Sequence, residues 1–570
     1  MKKKTRLLAF LLAIFAMFSL VACGGGGADT GGGDGSDTGE WQVDVDTKKV
    51  QLYVSNFNGG FGDAWLKAAA TRYEELNKNR EFTQGENAGK VGVQIIAENA
   101  KVTGQTLLAS VKGSRNHVFL TEGIEYNSYV DQDIVLDLTD IVTETLTKYG
   151  ESKSIEDKMT EEQQASLKVN DKYYMIPHYA GFNGITIDVD LFDSKRLFMS
   201  DTGEFNKNST ATGLSAGPDG LPGTYDDGLP ATYADFYELC KTMKKRSIIP
   251  ISWSGQYQWY VTQMMGALCV DDVGLAEGTM QYTYNGTTDV ITDISDTANA
   301  DGTYSYTTES VAVTEEDGYN VFKQTGFYNS LAFIEKIVRE GWYSSKSFVS
   351  SQSHVDVQDD FLMSSKEPTM QSIGMLIEGC WWESEATNTF NIMEKQYENA
   401  GKYDRRFRFI PFPKATADKV GTGATLVENN QAYAFIKSNI EEVNGTEMKD
   451  LALDFLQFIN TDESLREFTR ITNTVKALKY DITEDDLEEM TYFGRSLVEL
   501  KNAPTTKTLY PPLTSIYMKN FTRMHFQNRL GWGEYTNPTN AFKDNGSLTA
   551  KAYFNGLTSH WRNLWSAISK

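Results

Sequence analysis

Apolar and polar positions alternate along KVQLYVSNF, residues 49–57, with Val50, Leu52 and Val54 on one side. Period-two spacing of this kind predicts a half-buried strand. After the flexible NGGFGD turn the period lengthens, and Trp65, Leu66, Ala69, Tyr73 and Leu76 share one face of a helix with Asp63 placed as its N-cap. VGVQIIAE (91–98) reads as a second strand, TGQTLLASVKG as a helix, and HVFLTEG (117–123) as a third strand. Strand, helix, strand, helix, strand is the order of an α/β unit with a largely parallel sheet. In such sheets ligands gather at the carboxyl ends of the strands, here SNFNGG and TEGIEY.

The middle of the chain repeats the pattern. DKYYMIPHYAGFNGITIDVDLF (171–192) holds two short apolar strands around a glycine turn, and PATYADFYELCKTMKKRS (230–247) is an amphipathic helix that Thr232 caps. IIPISWSGQYQWYVTQMMGAL follows as strand, loop and helix. Two stretches read as insertions: 201–228, rich in glycine and polar residues, and 289–320, whose Thr, Asp, Tyr and Val content predicts a hairpin or flap. MKDLALDFLQFINTDESLREFTRIT is strongly helical, and the last ninety or so residues alternate helices with aromatic loops.

The N-terminus changes the picture. Lys2, Lys3, Lys4 and Arg6 precede the apolar run 7–22, which is shorter than the roughly 20 residues a spanning helix needs and reads as a secretory signal peptide. It ends Leu20-Val21-Ala22-Cys23, similar to the lipobox of bacterial lipoproteins, which implies lipid on Cys23. The glycine-rich, acidic stretch after it cannot bury a core; about seventeen such residues reach roughly 20–25 Å. The expectation is therefore a signal peptide over 1–22, a lipidated tether over 23–45 and a body lipid-anchored on the extracytoplasmic face of the membrane. A body of this length outgrows one core, so two lobes are expected.

A formal net charge of −23 argues against nucleic acid as partner. Apart from Cys23 there are three cysteines, Cys240, Cys269 and Cys380, enough for one disulfide and requiring none. Five scattered histidines show no metal-ligand spacing, and no phosphate-binding loop or nucleophile elbow is present, so neither a cofactor nor a metal is expected. Asp219, Asp226 and Asp227 in GPDGLPGTYDDG lie beside glycines, but without calcium-loop spacing they read more simply as a solvated acidic turn.

Four stretches in order, YMIPHYAGFNGITIDVDLF, GMLIEGCWWES, FIPFPK and LALDFLQFINTDESLREF, resemble the carbohydrate-type extracellular solute-binding proteins of ABC transporters, the maltose/multiple-sugar group. The resemblance implies an α/β, periplasmic-binding-protein-like clamp of two lobes with three interlobe crossings. These are expected near 165–173, 420–426 and 475–481, giving a first lobe of 46–168 plus 425–475 and a second of 169–424 plus 476–570. It also implies a monomer that captures a sugar or oligosaccharide and delivers it to permease subunits, with no bond made or broken.

The resemblance further places the ligand against an indole that follows the Glu378-Gly379 turn, either Trp381 or Trp382, since a pyranose has a C–H face suited to an aromatic ring and hydroxyls suited to carboxylates and amides. By position it adds Tyr257, Trp259 and Tyr260 from the loop GQYQWY, and Tyr517 at the far end of the cleft. Asn56, Asn58 and Glu122 come from the first-lobe strand ends, and Asn430 from beside the second crossing, with Trp532 a weaker candidate. Each of these residues could instead be surface or core. Two other functions stay open: a lipoprotein glycoside hydrolase, which would also line a cleft with tryptophan and paired carboxylates, and a peptide or polyamine receptor on the same fold.

Overall fold

The structure is a computed structural model and describes residues 39–41, 43–298, 304–513 and 515–568. The signal peptide and the lipidated Cys23 lie outside the described residues. From Gly39 the stretch expected as tether is already part of the body: Gly39–Glu40 pairs antiparallel with Val93–Ala100, and the Trp41 indole donates to Asp63 at 2.8 Å.

Six strands build the first sheet, in the order Gly39–Glu40, Val93–Ala100, Val50–Phe57, Val118–Thr121, Tyr433–Ile436, Ile176–Pro177. Val50–Phe57 runs parallel to both of its neighbours. Tyr433–Ile436 is antiparallel to the strands beside it. The sheet is therefore mixed, and its antiparallel strand Tyr433–Ile436 comes from more than 300 residues downstream of its neighbour Val118–Thr121. The alternation predicted for Val50, Leu52 and Val54 holds, and all three are fully buried. Ala64–Leu76 forms the predicted helix, but Asp63 makes no cap bond. Its carboxylate is taken by Trp41, Asn99 and Lys67 instead, so a contact from the incoming chain displaces the local cap.

The second sheet is four-stranded, in the order Phe407–Ile410, Asn183–Asp188, Ile373–Gly379, Ile249–Ser252. Asn183–Asp188 and Ile373–Gly379 are buried along their whole length, which is why they read as continuous apolar runs rather than alternating ones. Tyr233–Lys245 begins with the predicted cap: Thr232 accepts from the Asp235 backbone N–H and Asp235 accepts in return. Gly286–Ala298 and Tyr304–Val313 pair as an antiparallel hairpin, as the composition of 289–320 suggested.

The chain leaves the first sheet after Pro177, enters the second at Asn183, and is back in the first at Tyr433. Helix Asp462–Thr472 then packs on Ala64–Leu76, and Tyr492–Asn502 packs on Phe407–Ile410. Ile176–Pro177 thus belongs to the first sheet although it lies beyond residue 168, and Thr425–Val427 pairs with Lys507–Leu509 rather than joining that sheet.

Candidate functional site

The two sheets converge where their strand ends meet. Gly123 donates its N–H to the Asn430 carbonyl at 2.9 Å, and Asn429 donates to the Gly181 carbonyl at 3.0 Å. Gly60, in the NGG turn after the first strand, has φ +81°, and a Cβ there would lie 2.6 Å from Cγ of Glu385. The turn can approach the opposite side only because position 60 lacks a side chain.

Carboxyl groups gather at this junction. Glu122 accepts from the Tyr179 hydroxyl and from Asn430 Nδ2 at 3.3 Å. Glu428 accepts the backbone N–H groups of Asn430 at 2.8 Å and Gln431 at 3.3 Å. Gln358 Nε2 donates to Glu385 at 2.9 Å and reaches Glu378 at 3.4 Å. Desolvation pushes Glu122 up to about 7 and Glu428 up to about 8, and in both cases hydrogen bonds pull back only part of the rise. Glu378 and Glu385 are raised in the same direction, first by burial; repulsion from Glu385 adds to the rise of Glu378, and repulsion from Glu122 to that of Glu385. A carboxyl held protonated can donate one hydrogen bond and still accept others, which matches a ligand rimmed with hydroxyls.

The paired tryptophans separate in role. Trp382 is fully buried in a cage of Phe361, Phe407 and Phe493, at centroid distances of 5.7, 5.2 and 5.4 Å. That places it in the core and removes it from the candidate stacking residues. Trp381 lies across Gly379, where any Cβ would collide with the indole. It is only 4% exposed and neighbours Tyr260, whose hydroxyl is raised first by burial and then by the nearby Glu378 carboxyl. Adjacent residues on the turn point apart, so one ring enters the core and the other turns to the carboxyl cluster.

The other candidates divide likewise. Asn56 is buried and bonds Asn99 at 3.1 Å within the first sheet, a structural role. Asn58 sits in the NGG turn with its Oδ1 lacking a partner among the described residues. Tyr257 and Tyr260 flank His354, at 5.4 and 5.8 Å between ring centroids, and Trp259 stacks on Tyr260 at 3.9 Å. Tyr517 is buried against Tyr282 and Phe521, close enough to Glu428 for that carboxyl to add to the rise that burial gives its hydroxyl.

No family model matches the chain, and no curated protein matches it. Solved structures do. A chitin oligosaccharide binding protein superposes with a TM-score of 0.52 at 15% identity, covering 92% of this chain and 99% of that one. A solute-binding protein, RafE, in complex with raffinose gives 0.51 at 12% identity, covering 91% and 100%. The apo form of RafE from Streptococcus pneumoniae gives 0.52 at 13%, covering 92% and 100%. The chain has the solute-binding-protein fold.

In the solute-binding fold of this chain, Glu428, Gln358 and Tyr179 join the cluster although nothing in their local sequence marks them. The Asp219 loop holds a pair rather than a ligand set: Asp226 accepts from the Asp219 N–H at 2.9 Å and the Thr224 hydroxyl at 2.7 Å, and burial lifts it to about 6. Among the described residues no group of three or more His, Cys, Asp or Glu is arranged to hold a metal ion. Cys240, Cys269 and Cys380 are buried free thiols, and no described helix is long and apolar enough to cross a membrane.

Proposed function

We propose that this chain is the substrate-binding lipoprotein of an ABC importer, capturing a sugar or oligosaccharide outside the cell and handing it to permease subunits. The observation that carries this reading is the junction itself: Trp381, Glu378 and Glu385 from one side meet Glu122 and Asn430 from the other, in a fold shared with saccharide-binding proteins. Lobes 39–177 plus 433–472 and 183–410 plus 492–568, hinged through the segments between them, are the bodies that would close on the ligand. Cys23 would carry the lipid that keeps the protein at the membrane.

The test is a thermal-shift screen of the soluble body against raffinose, chito-oligosaccharides and xylo-oligosaccharides, since a ligand bound only to the folded state raises its melting temperature. Stabilisation by a saccharide that Trp381→Ala abolishes supports the assignment. New reducing ends in the same incubations would favour a hydrolase and end the reading of binding without turnover. One observation favours a second reading: four carboxyl groups converge with no lysine or arginine among their hydrogen-bond partners in the described residues. A polyamine's ammonium groups would favour the ionised form of these raised carboxyls and pair with it, so spermidine belongs in the screen, and a shift with spermidine alone would replace the saccharide.

A further inference from the structure

The turn that carries Asn58 and Gly60 has little of its own to hold its shape. Gly59, Gly60 and Gly62 all have positive φ, a freedom that costs conformational entropy to fix, and the bond inside the turn is the Phe61 N–H to the Asn58 carbonyl at 2.9 Å. This turn is nevertheless what the first lobe presents to the carboxyl cluster. The Phe61 ring meets Tyr179 edge-on at 4.6 Å between centroids. A Cβ on Gly59 would lie 3.2 Å from the Tyr179 hydroxyl, which donates to Glu122, and Gly60 meets Glu385. A shift of the turn would disturb the surroundings of both carboxyls.

The turn is held at its two ends, and both holds meet at Asp63. At the entering end Asn56 donates to Asn99 Oδ1 at 3.1 Å, and Asn99 donates to Asp63 Oδ2 at 2.9 Å. At the leaving end Asp63 stands before helix Ala64–Leu76 without capping it. Its Oδ1 pairs with Lys67 at 2.9 Å, and its Oδ2 also accepts the Trp41 indole N–H at 2.8 Å. Lys67 is half-exposed, so that ion pair contributes little; the indole bond to a carboxylate is charge-assisted and stronger. Trp41 comes from 22 residues upstream and is itself fixed. Gly39–Glu40 pairs with the strand Val93–Ala100, the Trp41 N–H donates to the Ala97 carbonyl at 2.8 Å, and the Lys67 ammonium lies over the indole at 5.6 Å. Residues 39–41 are also where the glycine-rich stretch behind Cys23 joins the body.

We propose that Trp41 is a positioning residue for the ligand site: segment 39–41 is a strap that, through Asp63, holds turn 58–62 against Tyr179 and Glu385. That the site takes a saccharide rests on the reading above; the strap itself does not. The end of the tether is then part of the support of the site, and a chain cut after Trp41 binds saccharide more weakly than the whole one.

The experiment compares the full-length protein in detergent with Trp41→Phe, Asp63→Ala and the double variant, by two measurements. Hydrogen exchange without added saccharide reads the turn. Trp41→Phe keeps an aromatic ring and loses the N–H, so the amides of 58–63 should exchange about tenfold faster, the effect of losing one hydrogen bond to a charged group. Those of the second-lobe strand Ile373–Gly379 should exchange as in wild type. Unchanged exchange at 58–63 overturns the strap. Titration calorimetry with raffinose, a chito-oligosaccharide and a xylo-oligosaccharide reads the site. Whichever binds the wild type should bind Trp41→Phe up to about tenfold more weakly, and the double variant no more weakly than Asp63→Ala alone, because Trp41 acts through Asp63. Wild-type affinity in Trp41→Phe, or losses that add in the double variant, overturns the positioning role. If none of the three binds the wild type, the saccharide reading fails, and exchange at 58–63 still decides whether Trp41 holds the turn.

Discussion

Replacing Glu122 with glutamine isolates the electrostatics of the junction. The Glu122 carboxyl is buried between Tyr179 and Asn430 and is raised from 4.5 to about 7, chiefly by burial. A group raised on folding binds more protons in the folded protein than in the unfolded chain, so stability falls as pH rises. The loss begins near pH 4.5 and is complete once pH exceeds the folded-state value. At about 1.4 kcal/mol per pH unit this amounts to about 3 kcal/mol. Glutamine has nearly the shape of the protonated acid, and its amide oxygen can accept the same bonds from Tyr179 and Asn430, but it cannot ionise. Glu122→Gln should therefore match wild type at about pH 5 and be more stable at about pH 8 by about 2–3 kcal/mol. With unfolding entropy of about 2.1 cal/mol/K per residue over roughly 530 residues, that is a Tm higher by about 2–3 °C. Glu428, raised in the same direction, keeps a residual slope in the variant. Scanning calorimetry of both proteins across the range reads the difference. If the two Tm curves run parallel, Glu122 is ionised in the native protein and the argument from burial is wrong.

Other perturbations separate core from site. Trp382→Ala should cost about 3–5 kcal/mol, the usual cost of truncating a buried large aromatic, and denaturant unfolding would show it; Trp381→Ala, at 4% exposure, should destabilise too, and in addition remove ligand-induced stabilisation, which Trp382→Ala should leave in the protein that still folds. Gly60→Ala should lower saccharide affinity, because the new Cβ meets Glu385 and φ +81° disfavours it; unchanged affinity by calorimetry would mean the turn does not approach Glu385 in solution. Lys414 is buried against Asp271 at 2.9 Å, so Lys414→Met should destabilise by about 3–5 kcal/mol by stranding that carboxylate. Asp271→Asn combined with Lys414→Met should recover part of the loss in the same urea titration.

Much of this protein was legible along the chain because the signals are local. Alternation over residues 49–57 and the Thr232-Asp235 cap need only near neighbours. The hairpin strands within 286–313 likewise follow from the composition of one short stretch. The WW pair announced an aromatic of unusual placement, yet its two members could not be told apart. What decides between them is a phenylalanine cage drawn from positions 361, 407 and 493, and no window of sequence contains it. The N-cap assigned to Asp63 failed for the same reason, since Trp41 and Asn99 compete for its carboxylate. Tyr517 is buried against Tyr282, and only the fold brings it within reach of Glu428. Glu428 and Gln358, ordinary in their own surroundings, become acids and amides of the site when strands far apart in sequence bring their ends to one junction. Periodicity and capping are set by bonds within a few residues. Burial, and with it the protonation of the carboxyl cluster, is set by which distant segments exclude water together, and only the folded chain decides that.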